Sequence, residues 1–246
     1  METLCSKSNL ESIKVKLGFD GLFVVDRVGR SGGLALFWRS SATVTLLNNA
    51  RNFIDVHVEV AGLGDWRLTG FYGYPESSRW RQSWDLLRWL SSSPWVCLGD
   101  FNDLLEASEK KGRNDHPNWK LQGFKSAISD NGLIDAGMDG YPFTWERSRG
   151  TPDWVEKWLD RVFVSAEWLN IFSRVKVTSL EATCFDHLPI FMDPSPIAHT
   201  SRHSRFRFEN LWLREKDCAD VINSSWGSSS GCSIQQKISK CGADLI

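Results

Sequence analysis

The chain has 246 residues, enough for one large domain or for one domain with an appendage. Hydrophobic residues make up 41% and charged residues 24% of the sequence, a balance that is typical of globular proteins and excludes a disordered chain. The formal net charge of −1 excludes a globally basic nucleic-acid-binding protein, so binding of that kind would need a local basic patch.

The predicted elements begin with strands. Residues 53–60, "FIDVHVEV", alternate between two sets of side chains, which is typical of a half-buried antiparallel strand. Four more segments rich in β-branched, aromatic and aliphatic residues are predicted strands, at 21–28, 34–39, 42–47 and 66–73.

Helical spacing of apolar residues first appears at 75–90, where Pro75 suits the helix entrance. The near-continuous apolar run at 94–103, "PWVCLGDFND", is typical of a strand that is buried on both faces. A second helix is predicted at 119–130. The later elements are a short helix that Ser165 could cap and strands at 142–147, 159–165, 175–181 and 188–193.

Many strands with a few interspersed helices predict a layered α/β (α+β) fold, with two mostly antiparallel sheets packed face to face and helices outside. Residues 194–205 are polar and contain Pro and Ser, which is typical of a linker. We expect one domain at 1–196. At 197–246 we expect a linker with a helical segment and a flexible C-terminal end.

The sequence shows no recognisable targeting signal or membrane-spanning segment. No apolar stretch approaches the ~20 residues that a membrane-spanning helix requires, and "METLCSKSNL" lacks the apolar block of a signal peptide. The six scattered cysteines have no zinc-binding spacing and favour a reducing compartment. We expect a nuclear or cytoplasmic protein that does not bind membranes, and no obligate protein partner is indicated.

Polar residues with useful chemistry stand at the ends of several predicted strands. They are, in chain order, Tyr72, Asp100, Asn102, Asp160, Asp186 and His187. In isolation each also fits a structural role, because Asp and Asn form turns and a tyrosine can pack at the edge of a core. Together they could converge on one pocket. Carboxylate oxygens suit Mg²⁺, and an Asp–His combination fits phosphodiester hydrolysis, in which one group activates water and others stabilise charge.

Three motifs in this order resemble those of the exonuclease–endonuclease–phosphatase superfamily: "GDFN" (99–102), "LDRVFVS" (159–165) and "DHLPI" (186–190). Longer stretches resemble the apurinic-type endonuclease domain of plant non-LTR (LINE-type) retrotransposons, namely "KLGFDGLFVVDRVGRSGGLALFW" (16–38), "WRLTGFYGYPE" (66–76), "RWRQSWDLLRWL" (79–90), "PWVCLGDFND" (94–103) and "RFRFENLWL" (205–213). The resemblance implies a four-layer sandwich that cleaves DNA phosphodiesters with Mg²⁺, or with Mn²⁺ as the alternative, leaving a 3′-hydroxyl and a 5′-phosphate.

The resemblance also implies a role for each matching residue. Asp100 would activate or align the attacking water. His187, oriented by Asp160, would contact the scissile phosphate and stabilise its developing charge. Asn102 and Tyr72 would position that phosphate.

Two further residues would serve the metal. Asp186 would lie near it, and Glu2 in "METLC" matches the family's main metal ligand. The family's pattern starts before that glutamate, so the resemblance implies that N-terminal strands are missing here. Phe185 stands where the family has Ser. In the family, the 205–213 stretch leads to a reverse transcriptase, so we interpret the chain as a retroelement fragment broken at both ends.

These departures leave other functions open. An impaired site favours a catalytically inactive retroelement remnant, or a weak nucleic-acid-binding module that uses the basic stretch at 202–207. The superfamily also includes inositol-phosphate phosphatases, sphingomyelinases and deadenylases. The retroelement-like stretches outside the catalytic motifs argue against those substrates.

Overall fold

The computed structural model describes residues 3, 5–27, 33–181, 186–195, 217–229, 231 and 233–245. These residues belong to two compact units, divided between residues 196 and 197. Among them, no helix combines the length and the apolar character needed to cross a membrane.

The described part of the first unit contains short helices and many strands. In chain order they are α1 (Lys7–Leu17), β1 (Gly21–Val25), β2 (Leu34–Trp38), β3 (Thr43–Ala50), β4 (Phe53–Val60), β5 (Gly64–Tyr72), α2 (Trp80–Leu90), β6 (Trp95–Asp100), β7 (Lys110–Lys111), α3 (Asn118–Asp130), β8 (Leu133–Asp135), β9 (Trp145–Arg147), β10 (Val155–Lys157), β11 (Asp160–Ser165), α4 (Ala166–Ile171), β12 (Lys176–Ser179) and β13 (Ile190–Asp193). A 3₁₀ turn at Ser77–Arg79 leads into α2.

Six strands form the central sheet, in the order β3-β4-β5-β6-β11-β8. All adjacent pairs are antiparallel except β5 and β6, which run parallel because α2 carries the chain back between them. The carboxyl ends of β5 and β6 therefore lie at one edge of the sheet, where antiparallel β11 begins. Polar residues at these strand ends are brought together by the topology alone.

Helices α2 and α3 cover one face of the central sheet. Trp84 and Leu87 of α2 and Phe124 of α3 are buried in one cluster with the strand residues Phe71 and Phe163. Each large apolar side chain that is fully buried in this way contributes roughly 1.5–3 kcal/mol. The apolar spacing that predicted the two helices is thus the spacing of their packing face.

The two-stranded sheets β1–β2 and β12–β13 cover the other face. Leu34 of β2 and Val177 of β12 are buried against Val56, Val96 and Val162 of the central sheet. The predicted α/β sandwich is confirmed, with the difference that the second layer consists, within the described residues, of two separate two-stranded sheets.

The environment of β4 differs from the half-buried strand that its alternation predicts. Both faces are covered along its first half, where Asp55 is 0% exposed. Its carboxylate accepts hydrogen bonds from Arg67 Nε at 2.7 Å, Arg67 Nη2 at 2.5 Å and Thr69 Oγ1 at 2.8 Å. Asp55 on this side of the strand therefore belongs to an internal ion pair, whereas His57 is half-buried and Glu59 is exposed.

Several elements were not predicted from the sequence. Helix α1 buries only Leu10, so it has almost no apolar periodicity to detect. Strands β7, β8 and β10 have two or three residues, too few to show a period. The second unit contains α5 (Cys218–Gly227), in the region where a helical segment was expected, and α6 (Ile234–Asp244). The C-terminal end, expected to be flexible, forms α6, which begins with a capping box between Ser233 and Gln236.

Candidate active site

Three strand ends of the central sheet carry polar side chains in one row. Tyr72 at the end of β5 lies opposite Asp100 at the end of β6. Asp100 in turn lies opposite Asp160 at the start of β11. Residues opposite each other on neighbouring strands point to the same face, and the strands are about 4.8 Å apart. Both carboxylates are buried, so their charges act on each other with little screening by water.

The chain turns sharply after β6. Asn102 has a left-handed φ of 52°, which asparagine tolerates better than most residues. Asp100 Oδ1 accepts the Asn102 backbone N–H at 2.9 Å, while Asn102 Nδ2 donates to Asp100 Oδ2 at 2.9 Å and to the carbonyl of Gly73 at 3.0 Å. The turn expected from Asp and Asn is present, and it holds the carboxylate and the amide side by side.

Close approach of two loops fixes this turn against the end of β5. The Gly73 N–H donates to the carbonyl of Asp100 at 2.7 Å. A methyl group on Gly73 would lie 2.0 Å from the carbonyl oxygen of Phe101, a distance that no side chain can accommodate. Glycine at this position is therefore a condition for the geometry of the site.

His187 reaches the carboxylates from a distant part of the chain. Its Nδ1 donates to Asp160 Oδ2 at 2.8 Å, and its Nε2 lies 3.8 Å from Asp100 Oδ2. A backbone bridge places His187 opposite Trp145, the first residue of β9. The imidazole is thus oriented by one carboxylate and directed towards the other.

Thr144 ties these parts together. Its hydroxyl oxygen accepts the backbone N–H groups of Leu159 at 3.0 Å and Asp160 at 2.9 Å. Its carbonyl oxygen accepts the N–H of Leu188, beside His187, at 2.6 Å. One buried residue therefore positions both the start of β11 and the segment that carries the histidine.

Burial and charge set the protonation of the group. Burial and the neighbouring Asp160 raise the pKa of Asp100 from 3.8 to about 7, against the opposing effect of His187. Burial alone would lower the pKa of His187, but the hydrogen bond to Asp160 and the charges of Asp160, Asp100 and Asp186 raise it above its ordinary value. Near neutral pH the site therefore combines a carboxyl group that can take up a proton with an imidazole that favours its charged form.

A cavity of about 1070 Å³ opens over this edge of the sheet. Asp100, Asn102 and His187 line it, and so do Tyr72 and Asp186. Asp160 lies behind His187 and contacts it directly. The structure thus brings together six of the seven residues that the sequence analysis selected.

Asp100, Asp160 and His187 also form a group that could hold a metal ion, with one ligand atom from each within 4.8 Å of the others. Two carboxylates suit a hard divalent cation such as Mg²⁺ or Mn²⁺. The mutual repulsion that raises the pKa of Asp100 is the kind of strain that a bound cation relieves. The two carboxylates therefore fit such an ion, whereas the charged form of His187 has no free nitrogen with which to bind it.

Three expectations lie outside the described residues. They concern Glu2 as the main metal ligand, Phe185 beside Asp186, and the basic stretch at 202–207. Thr3, the next residue after Glu2, lines the cavity.

The sequence analysis missed other residues that line the same cavity: Trp80, Lys110, His116, Lys120, Trp145 and Lys157. The side chain of His116 is only 10% exposed, and its Nε2 lies 3.5 Å from Asp103 Oδ1. The sequence gives only a weak indication that these residues line the site. Lys157 precedes Asp160 by three residues, and Lys110 stands in a charged run that resembles a solvated loop.

Comparisons with known proteins agree with this architecture. Residues 5–203 match the profile of the Endonuclease/Exonuclease/phosphatase family, whose named activities all cleave phosphate esters. Among solved structures, the chain is similar to the endonuclease domain of TRAS1, a telomere-specific non-LTR retrotransposon. That likeness has a TM-score of 0.55 and 12% identity, and it covers 78% of this chain and 93% of the other.

A weaker likeness is to ANGEL2, a 2′,3′-cyclic phosphatase, with a TM-score of 0.44 and 15% identity over 69% of this chain and 67% of the other. No curated protein matches the chain in sequence.

Proposed function

Because the chain belongs to the Endonuclease/Exonuclease/phosphatase family, we propose that it hydrolyses phosphodiester bonds of DNA in a Mg²⁺-dependent reaction, as the endonuclease of a retroelement. The observation that carries this proposal is the contact of His187 with Asp160, and its approach to Asp100, inside one cavity. An acid–base pair of this kind is what in-line attack of water on a phosphodiester needs.

Asp100 acts on the attacking water. Its carboxylate lines the cavity and is the base that accepts the water proton; in the metal-free protein, burial and Asp160 raise the pKa of Asp100. As the water oxygen bonds to phosphorus, the bond from phosphorus to the 3′-oxygen breaks. The water proton passes to Asp100, and the leaving 3′-oxygen takes a proton from solvent. The products are a 3′-hydroxyl and a 5′-phosphate.

His187 and Asp160 act on the phosphate. Negative charge builds up on the non-bridging oxygens in the transition state, and the protonated imidazole stabilises it. Asp160 accepts the Nδ1 proton at 2.8 Å, so Nε2 is left as the donor that faces the cavity. This hydrogen bond is formed before any substrate binds, so the transition state incurs little reorganisation.

The remaining residues hold the substrate. The amide of Asn102 donates to Asp100 and Gly73, and it would redirect one of these bonds to the phosphate. Tyr72 lines the cavity next to Asp100 and would contact the same phosphate. Asp186, Glu2 and the buried carboxylates would hold Mg²⁺, and a bound Mg²⁺ would supply positive charge for the phosphate oxygens.

The test is nicking of supercoiled plasmid, with and without Mg²⁺, by the wild-type chain and by Asp100→Asn and His187→Asn. Loss of a group that transfers a proton or stabilises the transition state lowers the rate by about a hundredfold or more. Asp85→Asn and His57→Asn make the same changes of side chain at exposed positions and should nick like the wild type. Equal nicking by all five proteins would overturn the proposal.

The alternative function is a catalytically inactive remnant that binds nucleic acid weakly through the 202–207 stretch. It predicts no nicking by any of these proteins, together with binding to DNA filters that weakens steeply with salt. The role of residues 197–246 as a linker towards a reverse transcriptase stays a prediction.

A further inference from the structure

The three-stranded sheet β7-β10-β9 carries a row of side chains that ends at the candidate active site. Lys110 of β7 lies opposite Lys157 of β10, and Lys157 lies opposite Trp145 of β9. Trp145 is bridged in turn to His187. Residues opposite each other share a face of the sheet, and all four line the same cavity. The row therefore runs along the cavity wall.

Two like charges stand opposite each other in this row. Directly opposed lysines are destabilising in an antiparallel pair. In the neighbouring row, which points to the other face, Lys111 lies opposite Glu156 and their charged groups are 3.6 Å apart. The same two strands thus give the lysine on one face an ionic partner and leave two like charges on the face towards the cavity. There, Lys110 donates to the carbonyl of Asn114, and the Lys157 ammonium group lies 5.0 Å from the centroid of the Trp145 ring.

A third lysine joins this pair from helix α3. Lys120, in the first turn of α3, is 8% exposed, and its ammonium group lies over the ring of Trp80. Lysines are rarely buried unless they are paired. Among the lysine ion pairs of the described residues, none involves Lys110, Lys120 or Lys157.

The three lysines are close enough to affect one another. Burial lowers the pKa of Lys120, and Lys157 and Lys110 lower it further against the effect of Asp103. Burial, followed by the charge of Lys110, lowers the pKa of Lys157 against the effects of Asp100 and Asp103. A bound anion would relieve the repulsion between these lysines.

Among the described residues, three negative groups are nearby. Asp100 raises the pKa of Lys157. However, Asp100 is held by Asn102 and faces His187.

The other two negative groups are engaged or face solvent. Asp103 accepts hydrogen bonds from Trp84 Nε1 at 2.8 Å and from the backbone N–H of Leu104 at 3.0 Å. Asp115 lines the cavity but is exposed. The first turn of α3 has no acidic residue, so its positive end adds to the local field.

We propose that Lys110, Lys120 and Lys157 form a second phosphate subsite, which binds a backbone phosphate about two nucleotides away from the one that is cleaved. The inference rests on the proposed function, and it makes a polymer of phosphodiesters the preferred substrate over a compound with one phosphate. Lys157 lies two strands from His187 and Lys110 three, so the subsite is about 10–15 Å along the wall. Trp145 lies between Lys157 and His187, on the part of the wall that the intervening nucleotides would cross.

Binding is measured in EDTA by fluorescence anisotropy with a short fluorescein-labelled DNA duplex, so the result does not depend on catalysis. Lys157→Met and Lys110→Met should each weaken binding roughly tenfold, the effect of one charged hydrogen bond. In the double variant, the slope of log K against log salt should fall by about 0.9, the value for one phosphate contact. Lys157→Arg keeps the charge and should retain wild-type binding, which distinguishes loss of the contact from misfolding.

Lys125→Met is the matched control, because Lys125 lies on α3 and pairs with Glu106 at 2.6 Å. It should bind like the wild type. A scan with one uncharged methylphosphonate along the duplex should find a flanking position that weakens wild-type binding and leaves the Lys110→Met/Lys157→Met variant unchanged. Two results would overturn the subsite. One is an equal loss of DNA affinity in the Lys110→Met/Lys157→Met variant and in Lys125→Met. The other is equal sensitivity of the wild type and the double variant to every methylphosphonate.

Hydrolysis of bis(p-nitrophenyl) phosphate, which has one phosphate, separates this inference from the proposed function. The Lys110→Met variant should hydrolyse it at the wild-type rate, whereas its nicking of DNA falls. Lysine-dependent DNA binding without any hydrolysis by the wild type would leave the subsite standing and refute the hydrolase. If the wild type hydrolyses the compound, but DNA binding and nicking do not depend on the lysines, the hydrolase stands and the subsite is refuted.

Discussion

Replacing Asp100 by asparagine should make the metal-free protein more stable at alkaline pH. Burial and Asp160 raise the pKa of this carboxyl from 3.8 to about 7. Between about pH 4 and pH 7 the folded state therefore binds more protons than the unfolded state. The free energy of unfolding falls as the pH rises through that window and levels off above it.

The size of the effect follows from the shift. One pKa unit corresponds to about 1.4 kcal/mol, so ionising Asp100 costs the folded state ~4 kcal/mol in all and ~3 kcal/mol between about pH 5 and pH 8. The Asp100→Asn variant lacks this group. The difference in unfolding free energy, variant minus wild type, should thus be larger at pH 8 than at pH 5 by ~3 kcal/mol. The hydrogen bonds with Asn102 change at both pH values and largely cancel.

Urea unfolding in EDTA, followed by the fluorescence of the 13 tryptophans, measures this difference. Asp85→Asn, an exposed change on α2, should alter stability by less than about 0.5 kcal/mol. If the variant-minus-wild-type difference were the same at both pH values, Asp100 would not be the buried, repelled carboxyl that the site requires.

Three further changes test the supports of the site. Thr144→Val leaves the N–H groups of Leu159 and Asp160 without their acceptor, so we expect a loss of about 1–3 kcal/mol in urea unfolding and slower nicking. Gly73→Ala forces the two loops apart, so nicking should fall although the far-ultraviolet circular dichroism is kept; unchanged nicking would contradict the close approach. Arg67→Met leaves the buried Asp55 charge without its ionic partner, so the free energy of unfolding should fall by about 3–5 kcal/mol. Unchanged stability would mean that water reaches Asp55.

How far the sequence predicts this fold depends on the length of each element. The helices α2 and α3 have long apolar faces, and the strand at 94–103 has a long apolar run, so periodicity located them. Strands β7 and β10 are too short for any period, although they place Lys110 and Lys157 in the cavity. Burial of Asp55 was missed because alternation cannot distinguish a solvated carboxylate from one that is paired inside the protein.

The candidate site was found by chemistry and resemblance together. Polar side chains at the ends of apolar strands contribute little to core packing, so they indicated candidate site residues. The order of the family-like motifs then connected four of them: Asp100, Asn102, Asp160 and His187. No local sequence pattern could indicate that Thr144 holds the site together. In the sequence, a threonine that makes such contacts cannot be distinguished from a threonine that does not. Contacts of this kind depend on which distant segments meet, which periodicity does not encode.

The account depends on Asp160 and His187 acting as one unit on a phosphodiester. A double-mutant cycle with Asp160→Asn and His187→Asn, read as the rate of Mg²⁺-dependent plasmid nicking, tests this most directly. Each single change should slow nicking by about a hundredfold or more, and the double variant should be little slower than His187→Asn alone. Losses that multiply in the double variant, or no nicking by the wild type, would contradict the proposed site.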